Sequence, residues 1–286
     1  MPSYSPRRIA TPALTLVFAT GLQLVSQSMV KEEGPIQDNS FLVEEAYNQE
    51  RGVVQHINTF SRMWNSKDWS YTFTQEWPVP HNWRHQISYT LIGAHAGAFT
   101  GSGGGWGDAA FNYRYQLLGD GESRAAFSPR LSVLLPTGDV TRGRGLGATA
   151  IQTNLPFSVA LNSRVVTHWN AGATFAPNAQ SADHCRAATL GYTFAQSFVF
   201  VMSPRLNFLV ETVHNRYQSV IGAGATEWES ATYVSPGVRW AYNFSSGLQV
   251  VPGIAMPIGV GASAGERGLF LYLSFEHPFD GLFSRR

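Results

Sequence analysis

The chain has 286 residues, a formal net charge of +1 and a charged fraction of only 14 %, against roughly 25 % in an ordinary soluble domain. Near-neutrality without a basic run excludes an electrostatic nucleic-acid binder, so no nucleic acid is expected as a partner. One cysteine, Cys185, excludes an internal disulfide and a multi-cysteine metal site.

Aromatic residues make up 13 % and there are 28 glycines. The mean hydropathy of -0.11 is too low for a bundle of apolar helices. Few charges and many aromatics at middling hydropathy fit a chain that alternates apolar and polar residues. The length allows one large domain or two small ones, with a sizeable core.

Residues 1–28 have the layout of a secretory signal peptide. Arg7 and Arg8 precede an apolar run from 9 to 25, and small and polar residues follow. The sequences at 19–21 and 26–28 both suit cleavage. The run is short for a membrane span and contains Pro12. No later stretch reaches the length of about eighteen apolar residues needed for a transmembrane helix.

Residues 29–51 carry Lys31, Glu32, Glu33, Glu44, Glu45, Glu50 and Arg51. The segment reads as a periplasmic tail, or as a plug in a lumen with Phe41, Leu42 and Tyr47 as its apolar contacts.

From about residue 52 the period is two. In 69–77, Trp69, Tyr71, Phe73 and Trp77 alternate with Ser70, Thr72, Thr74 and Glu76. In 109–117, Phe111, Tyr113, Tyr115 and Leu117 alternate with Asn112, Arg114 and Gln116. The runs 127–135, 151–161 and 165–175 repeat the pattern. Similar runs cover 86–93, 187–202, 206–214, 231–244, 248–258 and 268–279. The run 52–64 alternates poorly. The total is about twelve strands of about ten residues, the length of a tilted bilayer crossing.

Within the runs Glu76, Arg114, Arg130, Glu211, Arg239 and Glu276 share the polar parity, as does His168. An aromatic face without charge suits hydrocarbon, and the other face would line a lumen. The inward charges read as a structural salt-bridge network or as a charged constriction that selects solutes.

Connections alternate long and short from the third onward. The long ones are 94–107, 137–148, 177–186, 217–230 and 259–267. That is the rhythm of a barrel with short periplasmic turns and longer external loops. The first connection, 65–68, is short for an external loop. Pro129, Pro156, Pro236 and Pro252 fall inside predicted strands, where proline removes a ladder donor. Bulges or earlier strand ends are expected there.

Three clusters contain residue types that can carry chemistry. The glycines at 101–107 precede a strand, not a helix, so they lack the context of a phosphate cradle and read as an external loop. Asp183, His184 and Cys185 fall in another external loop without a second cysteine. His81 and His85 flank a turn, where a spacing of four has no metal-binding meaning. An outer-membrane hydrolase would need a serine activated near His168 and Asn170, yet no nucleophile elbow occurs.

Several phrases carry a family resemblance. FLVEEAYNQERGVVQH (41–56), FTQEWPVP (73–80), GWGDAAFNYRYQL (105–117), SPRLSVLLPTGD (128–139), SPGVRWAYN (235–243) and FLYLSFEHPF (270–279) together resemble the outer-membrane barrel family named for the MetA pathway of phenol degradation. The resemblance implies a transporter-like barrel in the outer membrane of a Gram-negative-type bacterium that helps small solutes across, aromatic ones among them. It brings no catalytic or binding residues.

The sequence therefore predicts an all-β chain, a transmembrane antiparallel β-barrel of about twelve strands. Residues 1–28 would be the signal peptide, 29–51 the tail or plug, 52–279 the barrel and 280–286 a C-terminal tail. The expected function is diffusion of small, aromatic or hydrophobic solutes through a polar lumen. No catalysis and no cofactor are expected. Expected partners are outer-membrane lipid, a small-molecule solute and, during biogenesis, the barrel assembly machinery. A phospholipase-like hydrolase and a structural or adhesive barrel are the alternatives.

Overall fold

The computed structural model describes residues 36, 38–80, 82–98 and 103–279. The predicted signal peptide, His81, Gly101 and the tail 280–286 lie outside them.

Twelve strands form one closed antiparallel barrel. In chain order they are β1 (Val53–Met63), β2 (Trp69–Pro78), β3 (His85–His95) and β4 (Gly105–Trp106 with Ala109–Tyr115). Next come β5 (Ala125–Phe127 with Arg130–Leu135), β6 (Ala150–Asn154 with Phe157–Asn162), β7 (Val165–Gln180) and β8 (Arg186–Ser203). The circuit ends with β9 (Leu206–Gly222), β10 (Ala225–Trp240 with Tyr242–Asn243), β11 (Gln249–Ala255 with Ile258–Val260) and β12 (Gly268–Pro278). Each strand pairs with its chain neighbours, and β12 closes on β1 from Val53 opposite Pro278 to Met63 opposite Gly268. A closed sheet leaves no ladder edge exposed, which hydrocarbon requires.

The two parities sort as hydrocarbon demands. Phe111, Trp169, Phe194, Leu271 and Leu273 are exposed on the outside. Thr74, Asn112, Ser132, Asn170, Ser197 and Ser274 are buried on the inside. β1 alternates poorly because its inner face carries apolar Ile57 while Asn58 faces out and accepts a hydrogen bond from the Tyr71 hydroxyl at 2.7 Å. The outward charges Arg62 and Arg216 sit near the loop ends of their strands, and Arg216 lies 5.1 Å from the Trp228 ring centroid.

Even-numbered connections share one end with residues 52 and 279; odd-numbered ones share the other. Two predicted long loops are hairpins instead. β7 to β10 run 16, 18, 17 and 16 residues. The seventh connection shrinks to 181–185 and the ninth to Ala223 and Gly224, with Gly224 at φ 68. Hydrophobic alternation ends where the hairpin leaves the apolar layer. The ladder continues with polar residues on both faces, Gln218 on one and Ser219 opposite Glu227 on the other.

Of the two expectations for the prolines, earlier strand ends hold at Pro129 and Pro156, and bulges do not. Phe127 pairs with Phe157 and Arg130 with Asn154 in one continuous register, which sets Ser128 opposite Pro156 and Pro129 opposite Leu155. Likewise Gly237 pairs with Ala255 and Val234 with Ile258, which sets Pro236 opposite Met256 and Ser235 opposite Pro257. Prolines on neighbouring strands share one short interruption, so each missing donor weakens the same patch of ladder. Pro252 stays within its strand, opposite Leu273. A bulge occurs at Leu117 and Leu118 instead, whose N–H groups both donate to the Phe127 carbonyl at 3.0 Å.

Leu273→Arg should destabilise the assembled barrel by about 2–4 kcal/mol, the penalty for a cation at the hydrocarbon midplane. Urea unfolding in lipid vesicles checks this; an unchanged midpoint would mean that this face does not meet lipid.

Candidate functional site

Residues 38–50 form no strand or helix, yet nearly all are buried. They run through the inside of the barrel. Buried irregular backbone must find partners for its N–H and C=O groups, and inward side chains of the wall supply them. Leu42 and Val43 N–H donate to one Glu211 oxygen at 2.8 and 3.1 Å. Glu44 N–H donates to Asn170 at 2.8 Å and Ala46 N–H to Ser158 Oγ at 2.8 Å. Asn48 N–H donates to Gln116 at 2.8 Å and Gln49 N–H to Gln86 at 2.6 Å. In return, Arg114 donates to the Tyr47 carbonyl at 2.8 Å, Gln116 to that of Ala46 at 2.7 Å and Asn170 to that of Glu44 at 2.7 Å.

The charges are organised around Glu44. Arg114 and Arg130 stand directly opposite each other on β4 and β5, a like-charge pair in register. The Glu44 carboxylate lies against both: 3.2 Å from Arg114 Nη2 and 2.9 Å from Arg130 Nε. Asn154 Nδ2 donates to its second oxygen. All three ionic groups are at most 5 % exposed.

A second anchor lies towards the start of the segment. Arg239 donates to the carbonyls of Asp38 and Asn39. Asp38 accepts from the Tyr272 hydroxyl at 2.6 Å and the Ser274 hydroxyl at 2.9 Å. Burial pushes the Asp38 carboxyl up to about 6, while Arg239 and the two hydroxyls pull it partly back.

Between these anchors Phe41 is fully buried. Its ring centroid is 5.8 Å from that of Phe270 and 5.4 Å from that of Tyr272. It rests on Gly237 and Gly253, where an added Cβ would come within 2.6 Å and 2.4 Å of the ring. The two Pro-Gly dipeptides of β10 and β11 thus floor a socket, with proline outward and glycine inward. Ile57, Val199, Leu209, Val213 and Val251 complete this apolar cluster inside the barrel.

All seven residues singled out from the sequence are buried at inward positions. Arg114, Arg130, Glu211 and Arg239 bond the inner segment. Glu76 accepts from Gln86 Nε2 at 2.6 Å, one bond behind the segment. Glu276 lies in the same buried region, near Asp38, Glu45 and Glu50 of the segment. His168 Nδ1 lies 2.7 Å from Ser158 Oγ, and Nε2 lies 4.0 Å from Glu45. That serine, histidine and glutamate approximate a hydrolase arrangement, but Ser158 is 0 % exposed and its Oγ already accepts the Ala46 N–H. In this state the hydroxyl joins the segment to the wall and has no room for a substrate.

Asp38, Ser158, Gln86 and Gln116 were not singled out from the sequence. Ser158, Gln86 and Gln116 share the polar parity of the charged residues, which is their one signal; Asp38 lies in the strandless segment and has none.

The opposite mouth is narrowed by the loop 136–149, and two sequence phrases hold it. Asp108, of the Gly-Trp-Gly-Asp stretch, accepts the N–H groups of Gly138 and Leu146 at 2.9 and 2.7 Å. Thr137 donates to the Gly107 carbonyl at 2.9 Å and accepts from Ala109 N–H at 2.9 Å. Asp139 pairs with Arg144 at 3.2 Å. At Gly138 a Cβ would fall 1.7 Å from the Arg144 carbonyl oxygen, so only glycine fits. The loop end is tied down at Gln180, which donates to the Gly147 carbonyl at 2.6 Å. Asp183, His184 and Cys185 form a turn, closed by the His184 N–H to the Ser181 carbonyl at 2.9 Å. Among the described residues no group of three His, Cys, Asp or Glu side chains could hold a metal.

No protein-family model matches the chain, and no curated protein matches it. Solved structures do. A COG4313 outer membrane channel from Pseudomonas putida F1 superposes with a TM-score of 0.54 at 12 % identity, over 79 % of this chain and 93 % of that one. The NanC porin superposes with a TM-score of 0.52 at 10 % identity, over 77 % of this chain and 98 % of that one. At such identities the likeness establishes the fold, a barrel of the outer-membrane type.

Two predictions follow from the anchors. Glu44→Gln leaves two opposed buried guanidiniums without a counter-charge, which costs about 3–5 kcal/mol. Hydrogen-exchange protection of the Leu42 to Gln49 amides should fall by two orders of magnitude or more; unchanged protection would show that Glu44 does not hold the segment. The second concerns pH. The Asp38 carboxyl is raised from its ordinary 3.8 to about 6, so docking takes up a proton between those values. Its contribution favours the docked segment at low pH and is lost as pH rises through about 6. Protection factors for Asn39 to Val43 should be higher at pH 5 than at pH 7.5, and Asp38→Asn should flatten that difference.

Proposed function

We propose that the chain is a channel of the bacterial outer membrane, through which small solutes diffuse when the inner segment leaves the lumen. The observation that carries this reading is how the segment is held. It contributes no strand to the wall ladder, and most of the bonds between wall and segment use a wall side chain; the backbone exceptions are the turn carbonyls of Trp83 and Ser123 and the Val53 N–H at the start of β1. The segment can therefore leave without breaking a hydrogen bond between barrel strands.

On this reading residues 1–28 direct export, 29–51 include the plug, and 52–279 form the conducting barrel. Both ends of the barrel chain lie at the periplasmic side, with the loop 136–149 outside. Lipid surrounds the aromatic outer face, and the assembly machinery inserts the barrel. The resemblance to the MetA-pathway family supports small aromatic or hydrophobic solutes as cargo in a Gram-negative-type bacterium. No chemical step is needed. The lumen charges Glu76, Arg114, Arg130, His168, Glu211, Arg239 and Glu276 would hold the plug when it is docked and face the solute when it is not.

Deleting residues 29–50 and recording single channels in planar bilayers tests the reading. Conductance should rise several-fold over the full chain. A folded deletion variant with unchanged conductance would rule out the plug, and one with no conductance would rule out the channel.

A further inference from the structure

The inner segment does not fill the barrel. A cavity of about 160 Å³ remains above it, with Leu42 of the segment as floor and Leu146 of the loop 136–149 as roof. Its lining has two chemistries. Leu134, Leu146, Ala179 and Val220 belong to a single apolar cluster. Asn170, Thr174, Thr189, Thr193 and Asn215 add polar groups from β7, β8 and β9.

The charges that border the cavity are already engaged. Arg130 lies against Glu44, and Asp108 accepts two loop N–H groups. One polar group is not. Asn215 is 4 % exposed, and its Oδ1 accepts from Thr193 Oγ1 at 2.8 Å, yet its Nδ2 has no partner. A buried amide donor without an acceptor is destabilising, and native structures seldom keep one. A ligand oxygen in the cavity would satisfy it.

We propose that this cavity is a binding site for a small uncharged solute with an apolar body and one hydrogen-bond-accepting oxygen. The oxygen takes the Asn215 N–H, and the body packs against Leu134, Leu146 and Val220. The proposal rests on the channel reading and deepens it by naming a solute class. Size sets one limit: a cavity of about 150 Å³ holds a single six-membered ring. Charge sets the other. An anion meets Asp108 and a cation meets Arg130, and each would lose its hydration shell without gaining a free counter-ion.

The test uses the full-length barrel in detergent and three probes with one ring: cyclohexanone, cyclohexanecarboxylate and cyclohexylammonium. Calorimetric titration, corrected for partition into protein-free micelles, should show cyclohexanone binding at least tenfold tighter than either ion. Asn215→Leu should weaken cyclohexanone by about tenfold, the loss of one buried hydrogen bond. Leu146→Trp fills the cavity from the loop and should abolish binding. It serves as the independent variant if Asn215→Leu does not fold. Equal binding of the ions, or undiminished binding in the variants, would overturn the site. Failure of the site is separable from failure of the channel: conductance of the deletion variant without cyclohexanone binding overturns the site alone, and binding without conductance overturns the channel alone.

Discussion

Two arginines placed opposite each other inside a barrel set the terms for everything else in this lumen. Arg114 and Arg130 are paired in register on adjacent strands and nearly excluded from solvent. Neither could remain charged there without an anion between them. Glu44 supplies it, and it comes from a segment that is not part of the wall. Once Glu44 is placed, the adjacent backbone is buried too, and its amides need acceptors. Glu211, Asn170, Ser158, Gln116 and Gln86 provide them along the length of the segment. The wall is polar on its inside because it solvates a peptide.

The apolar cluster has the same origin. In a barrel that crosses a bilayer the outer face already meets hydrocarbon, so only the lumen can hold a core. Here that core forms around Phe41, and it requires glycine at 237 and 253. The lumen is therefore polar around Glu44, apolar around Phe41 and partly empty beneath the loop 136–149. The loop and the segment approach from opposite ends, and the cavity lies between them.

Much of this was legible in the sequence because hydrocarbon imposes a strict rule on one face. Period-two alternation with charges on one parity gave the strands and placed Glu76, Arg114, Arg130, His168, Glu211, Arg239 and Glu276 on the inside. The rule lapses outside the apolar layer. The extensions of β7 to β10 carry polar residues on both faces, so hairpins read as loops. It lapses also where the inside is apolar, as at Ile57, which blurred β1. The prolines left two readings open because a strand interruption and a bulge look alike in sequence; register decides for interruption at Pro129 and Pro156. The segment's partners were illegible for another reason. A side chain that hydrogen-bonds a buried backbone has no spacing signature, since the two are brought together by the closing of the barrel.

The central claim is that residues 38–50 occupy the lumen and obstruct it. Ser40 and Ser197 bring their hydroxyl oxygens to 2.6 Å, one on the segment and one on the wall. Paired cysteines at these two positions provide the most direct measurement, made on the barrel in planar bilayers. The account predicts that Ser40→Cys with Ser197→Cys forms a disulfide, that oxidised channels stay closed, and that a reductant restores opening. Failure of the cysteines to cross-link in the folded barrel, or conduction unaffected by the cross-link, would contradict it.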